Sequence, residues 1–300
     1  MLTEFALAKV NLFLHVLGRR PDGYHLLESL VAFADHGDEL HLLPGQPLGL
    51  SIEGPFAGSL AVAEDNLVLR AARSFVAHIG PARMGRFVLV KALPVASGIG
   101  GGSADAAAAL RLLARANDIP VSDPRLMDCA AMLGADVPSC LDRKTRLISG
   151  IGHELGPPLA SEPAPVLLVN PGIGVSTAEI FRQMDLQPGQ RHGKPPVTYE
   201  KLSLQPLHFL ASQTRNDLQP IAESLVPVIT EVLETLRRQA GCWLARMSGS
   251  GATCYAIFSN AHARNAAARD IAARNPGWWV SATALRLPGW DIVTRAPVGG

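Results

Sequence analysis

A mixed fold of strands and helices, in one large or two ordinary domains, is what this sequence predicts, and three features predict it. The chain has 300 residues, 48% apolar and 18% charged, which is enough for a sizeable core. Strand-like runs of branched and aromatic residues alternate with helical runs that carry their own cap signals. Between residues 150 and 165, glycine and proline are frequent enough to hold a domain boundary.

Taken in order, residues 5–16 read as a strand with Lys9 and Asn11 on one face, because side chains two apart point the same way. Pro21-Asp22-Gly23 is a turn: proline fixes φ, aspartate bonds its own backbone and glycine takes positive φ. That turn leaves Tyr24 and His25 without a structural reason. Short strands follow at 38–43 and 48–53, then a helix from an Asp65-Asn66 cap to about Ile79. Residues 86–93 are a strand, and after it come Gly98, Gly100, Gly101 and Gly102. Ser103 and Asp105 open a helix with Ala106, Leu110 and Leu113 on one face and Arg111 and Arg115 on another.

Asp123-Pro124 starts another helix, ended by Gly134, and an Ala135-Asp136 turn follows. Strands are expected at 145–149 and 165–169, and a helix capped by Ser176 or Thr177 contains Phe181. Residues 186–206 are polar and aperiodic and read as a mobile surface loop. A helical region at 216–239, with Asn216-Asp217 as cap signals, must be kinked or split at Pro227. A second glycine loop at 247–253 runs into a strand at 254–258. Asn260 caps a helix to about Arg274, an edge strand covers 278–287, and residues 296–300 are expected to be poorly ordered.

Twenty-seven basic and 26 acidic residues give a net charge of +1, so nothing suggests a nucleic-acid or membrane-surface footprint. Four cysteines without C-x-x-C spacing read as reduced thiols in a cytoplasmic protein. The N-terminus lacks the pattern of a signal peptide, and no run approaches the roughly 20 apolar residues of a membrane span. No protein partner is evident.

The strand, glycine loop and helix carry the chemistry. Unsatisfied first-turn N–H groups and the positive end of the helix dipole face the loop, a setting for phosphate. The spelling excludes the dinucleotide fingerprint, which needs a glycine at Ser103, and the Walker pattern, because the only Gly-Lys, at Gly193-Lys194, precedes Pro195.

The run from Pro94 through Ala96, Ser97, Gly98, Ile99, Gly100, Gly101, Gly102 and Ser103 resembles the ATP-binding motif of the galactokinase, homoserine kinase, mevalonate kinase and phosphomevalonate kinase superfamily, with Ile99 in place of the usual leucine. Ala-Lys9-Val-Asn11-Leu, Arg20-Pro-Asp-Gly-Tyr24-His25 and Gly134-Ala-Asp136-Val-Pro resemble segments of its diphosphocytidyl-methylerythritol kinases.

That resemblance implies an α+β, two-domain small-molecule kinase: residues 1–155 an N-terminal ATP-binding domain, residues 156–300 a C-terminal ferredoxin-like domain, the active site in the cleft between them. It implies Lys9 and Asp136 as the catalytic pair, Asp136 as general base, and Asn66 near the adenine. Tyr24, His25 and Phe181 would hold the cytosine, Asn11 the methylerythritol end, and Gly249 and Ser250 would line the transfer site. The reaction would be ATP-dependent phosphorylation of the 2-hydroxyl of 4-diphosphocytidyl-2-C-methylerythritol, with Mg²⁺ bound by ligands the sequence does not disclose.

Local readings compete: Asn66 as a plain helix cap, Asp136 as a backbone cap, Phe181 as core, the second glycine loop as a tight turn. Val95-Ala96-Ser97 stands where many relatives carry more glycine. A sister kinase for homoserine or mevalonate and a silent nucleotide sensor are the alternative functions.

Overall fold

The computed structural model describes residues 1–60, 65–191, 197, 199–204 and 213–287. Contacts divide the chain into two compact units that share its longest strands. The first comprises Met1–Lys9, His36–Val95 and Gly100–Arg143; the second comprises Val10–Asp35, Ala96–Ile99 and Lys144–Gly300. This division differs from the expected cut between residues 155 and 156. Strands β1 (Leu2–Arg19) and β2 (His25–Pro44) are 18 and 20 residues long and each passes through both units, so no single cut separates them.

In the first unit, β4 (Gly85–Val90) pairs antiparallel with the end of β2 and parallel with β3 (Gly49–Glu53). Alternation decides which face is inside: Phe87 and Leu89 are buried and oppose Leu42 and Leu40. Helix α1 (Leu67–Ile79) buries Val68, Leu69, Ala72 and Phe75 at helical spacing. It contacts α2 (Gly101–Ala116) and α3 (Pro124–Leu133), while α4 (Val137–Asp142) contacts α2.

Asn66 and Asp123 cap α1 and α3 with their side chains, as the cap signals predicted. Helix α2 departs from its expected amphipathic form, being buried over most of its length. Arg111, expected on a polar face, is 2% exposed and donates to Glu4, the Phe5 carbonyl and the Cys140 carbonyl. Alanines at 104 and 106–109 leave room for neighbours all round, which periodicity alone does not signal.

The second unit is built on β7 (Glu162–Asn170), flanked antiparallel by β9 (Cys254–Phe258) and by β10 (Trp279–Leu287); β8 (Cys242–Met247) pairs with β9. Strand β10 was expected at an edge. It is internal, pairing with β7 from Trp279↔Asn170 to Leu287↔Glu162 and meeting β2 at Leu285↔Ala34. β5 (Arg146–Ser149) pairs with β2 and with β6 (Glu154–Pro158). Helix Val228–Arg237 packs on β8 and β9, and Ala261–Arg274 on β7, β9 and β10, closing a core around Leu167, Val169, Leu233, Phe258 and Ile271.

Pro227 splits the predicted long helix into Gln219–Leu225 and Val228–Arg237. The expected mobile loop is tied down in its described part: Leu186 is buried, and Arg19 N donates to the Gln190 carbonyl while the Arg19 carbonyl accepts from Gly189 N. Residues 199–204 form a helix, and the chain end at 296–300 lies outside the described residues. Among the described residues, no helix is long and apolar enough to cross a membrane.

Candidate functional site

The glycine loop delivers α2 with its first turn bare. Gly100, at φ 65°, is the N-cap and supplies no side chain, so the N–H groups of Gly101, Gly102 and Ser103 have no capping partner from it. Of the four glycines, Gly98 and Gly100 take positive φ. Gly101 and Gly102 are helical and small for lack of space: a Cβ would lie 3.1 Å from Lys91 Nζ at the first and 3.3 Å from Leu67 Cδ1 at the second. Pro94 is buried, and Ile99 is wholly buried, so what Ile99 can present is backbone. Asn66 Oδ1 accepts from Val68 N at 2.9 Å and so caps α1.

In the same unit, Lys9 Nζ donates to Asp136 Oδ1 at 2.9 Å. Lys9 is 3% exposed, and its stem passes beneath Gly100, where a Cβ would meet Lys9 Cε at 3.2 Å. Asp136 is the N-cap of α4 yet makes no side-chain cap bond, so its carboxylate faces Lys9 instead. The backbone-cap reading therefore fails, and Asp136 keeps 42% side-chain exposure.

Beneath the loop lies a buried trio that sequence reading missed. Lys91 Nζ donates to Asp38 Oδ2 at 2.5 Å and to Asp105 Oδ2 at 2.8 Å, while Asp38 Oδ1 accepts from the Ala92 and Leu93 N–H groups. Asp105 Oδ1 is buried with no hydrogen-bond partner among the described residues. Burial pushes the Asp105 carboxyl up to about 7, with the Asp38 charge adding and Lys91 opposing. The Lys91 ammonium is raised although burial lowers it, because the Asp105 and Asp38 charges outweigh that loss.

The sign of the pH dependence follows. In the folded state Asp105 holds its proton well above 3.8, so its contribution to stability is full below about pH 4 and is lost as pH rises through about 7. Asp105→Asn should remove this slope while keeping the Lys91–Asp38 bond. Melting temperatures across that window would show it; a mutant with an unaltered slope means Asp105 is ionised throughout.

The second unit joins the two glycine segments. Ser248 Oγ donates to the Gly98 carbonyl at 3.0 Å and accepts from Asn11 N at 3.1 Å, and Thr253 N donates to the Ser97 carbonyl. Asn11 Nδ2 donates to Ser29 Oγ at 2.7 Å, and Ser250 Oγ lies 2.7 Å from Thr177 Oγ1. Asn216, read as a cap signal, also holds this loop: Nδ2 donates to the carbonyls of Met247 and Gly249 at 2.9 and 2.7 Å. A strand-facing asparagine just before a helix gives no such hint in sequence. Ala96 is exposed at φ 51°, so the loop accepts a Cβ there at the cost of a left-handed residue.

Elsewhere in that unit the His25 and Phe181 rings stack, centroids 4.5 Å apart at 23°. Phe181 is half-buried at the edge of the core, which suits neither reading exclusively. Burial and then the Arg19 charge lower the His25 pKa, favouring neutral imidazole, and its Nε2 is buried without a partner among the described residues. Tyr24 stands apart, 61% exposed.

The chain is a small-molecule kinase of the galactokinase–homoserine kinase–mevalonate kinase type. Residues 66–143 match the model of the GHMP kinases N terminal domain and 203–277 that of the GHMP kinases C terminal region. A homoserine kinase structure from Cytophaga hutchinsonii shares the fold, with TM-score 0.66 at 19% identity over 96% of this chain and 95% of that one.

More specific is 4-diphosphocytidyl-2-C-methyl-D-erythritol kinase of Methylorubrum extorquens, 52% identical over 95% of this chain and 99% of the relative. The enzyme of that name from Rhodopseudomonas palustris is 49% identical over 95% and 97%. A crystal structure of 4-(cytidine 5'-diphospho)-2C-methyl-D-erythritol kinase superposes with TM-score 0.77, at 31% identity over 95% of this chain and 99% of that one. The chain belongs to the 4-diphosphocytidyl-2-C-methyl-D-erythritol kinase family.

Proposed function

We infer that the chain transfers the γ-phosphoryl group of ATP to the 2-hydroxyl of 4-diphosphocytidyl-2-C-methyl-D-erythritol. The observation that carries this reading is the Lys9–Asp136 pair at the foot of the bare α2 start. The triphosphate lies against the N–H groups of Gly101, Gly102 and Ser103 and against the dipole end of a 16-residue helix. Asp136 accepts the proton of the substrate hydroxyl as its oxygen bonds to phosphorus and the bond from phosphorus to the ADP oxygen breaks. Lys9 spreads the charge of the transferring group.

No three His, Cys, Asp or Glu residues gather into a metal site among the described residues. Asp136, whose side chain is 42% exposed, is the residue that would hold Mg²⁺ brought in with the triphosphate. Mg²⁺ bound there neutralises charge on the phosphate oxygens. Neutral His25 offers Nε2 to the polar edge of cytosine, Tyr24 and Phe181 offer rings for stacking, and Asn11 orients the methylerythritol. Four free cysteines suit a cytoplasmic enzyme.

Phosphorus NMR with Mg-ATP and the cytidyl substrate, run beside homoserine and mevalonate, tests the assignment. A new phosphomonoester signal is expected with the cytidyl substrate alone; a signal with another alcohol overturns the cytosine site. His25→Ala should raise KM for the cytidyl substrate by roughly tenfold or more with kcat little changed, as loss of a ground-state contact does. An unmoved KM would place the base elsewhere.

A further inference from the structure

The second unit carries a cavity of about 520 Å³ that the phosphoryl-transfer reading does not use. Arg215, Arg237 and Arg246 line it together with Trp243, and the acid among its lining residues is Asp217. That acid is already engaged, accepting from Arg215 Nε at 2.5 Å and from Val16 N at 2.8 Å. Arg246 is 7% exposed and donates to the Leu12 carbonyl and to Thr214, a rigid setting for its charge. Arg237 projects from the last turn of its helix, exposed and without an ion-pair partner among the described residues. Beside these cations the Trp243 indole is 48% exposed.

A cationic wall next to a partly exposed indole suits one ligand chemistry, a phosphate or diphosphate joined to a planar or apolar body. The cavity is also wired to the second glycine loop. Asn216 and Gln219 line it, and the same two side chains hold that loop: Asn216 bonds the Met247 and Gly249 carbonyls, and Gln219 Oε1 accepts from Met247 N at 3.0 Å. We propose that this cavity is a second anion site for a phosphorylated molecule with an aromatic or apolar body, and that its occupancy is coupled to the loop at residues 247–250.

Calorimetric titration of the whole chain with phenyl phosphate and with pyrophosphate reads binding without any need for turnover, so its failure is separable from failure of the kinase assignment. Phenyl phosphate is expected to bind one to one. Arg237→Gln, an exposed helix-end change, should weaken it about tenfold, the loss of one charge-assisted contact, while basal turnover stays as in the wild type. Trp243→Ala should weaken phenyl phosphate and leave pyrophosphate unchanged. No heat, or equal affinity in Arg237→Gln because the anion sits on the glycine loop, overturns the site. Phenyl phosphate should also shift KM for ATP in the wild type and not in Arg237→Gln; binding without that shift overturns the coupling.

Discussion

Asparagine in place of Asp136 is expected to lower kcat by about 10²–10⁴-fold, the range in which a positioned general base contributes, while nucleotide binding survives. The substitution keeps shape and removes the proton acceptor. Binding should persist because the N–H groups of Gly101, Gly102 and Ser103 do not involve Asp136, and because the asparagine carbonyl can still accept from Lys9 Nζ. Folding should persist too, since the start of α4 draws no hydrogen bond from this side chain. A melting temperature near the wild type's, an unchanged Kd for ATP and a collapsed kcat would together identify the base. A mutant within tenfold of wild-type turnover would reduce Asp136 to an electrostatic partner of Lys9.

How far the site was legible in sequence depends on the range of each interaction. Caps are local, so Asn66, Asp123, Ser176 and Asn260 could be read directly, as could the break at Pro227. Lys9 and Asp136 are 127 residues apart, and neither local pattern singles out the other; resemblance, not periodicity, paired them. The trio of Asp38, Lys91 and Asp105 joins residues 53 and 14 apart in sequence and was invisible, because each member sits in an ordinary polar position of its own segment. A burial of that kind appears only when a strand end, a loop and a helix start meet. Arg111 was misread for the same reason, since an arginine between leucines on an alanine-rich helix marks a polar face unless a neighbouring segment supplies carbonyls to it. The interleaving of the two units escaped too, as composition shows where a boundary is permitted and says nothing of a strand long enough to serve both sides.

Gly98→Ala is expected to damage stability and activity together, because it combines a left-handed backbone with overlap against backbone on the second glycine loop. Its φ of +75° is a left-handed conformation, and its missing Cβ would fall 2.6 Å from Gly251 N and from the Ser248 carbonyl oxygen and 2.7 Å from the Gly251 carbonyl oxygen. All three neighbours are backbone, so no rotamer change relieves the overlap. A left-handed alanine alone costs about 1–2 kcal/mol, and overpacking adds on the order of 1–3 kcal/mol. Gly45 separates the two parts, having φ +83° and nothing within 4 Å of a Cβ. Gly45→Ala should therefore show only the conformational loss in urea denaturation, and Gly98→Ala the sum. The second loop would move as well, because Ser248 Oγ bonds the Gly98 carbonyl, and a displacement of about 1 Å at a reacting site is worth roughly 10² in rate. Equal destabilisation of the two mutants, or a Gly98→Ala enzyme with intact kcat/KM, would mean that the two glycine loops do not pack on each other as tightly as their backbone contacts require.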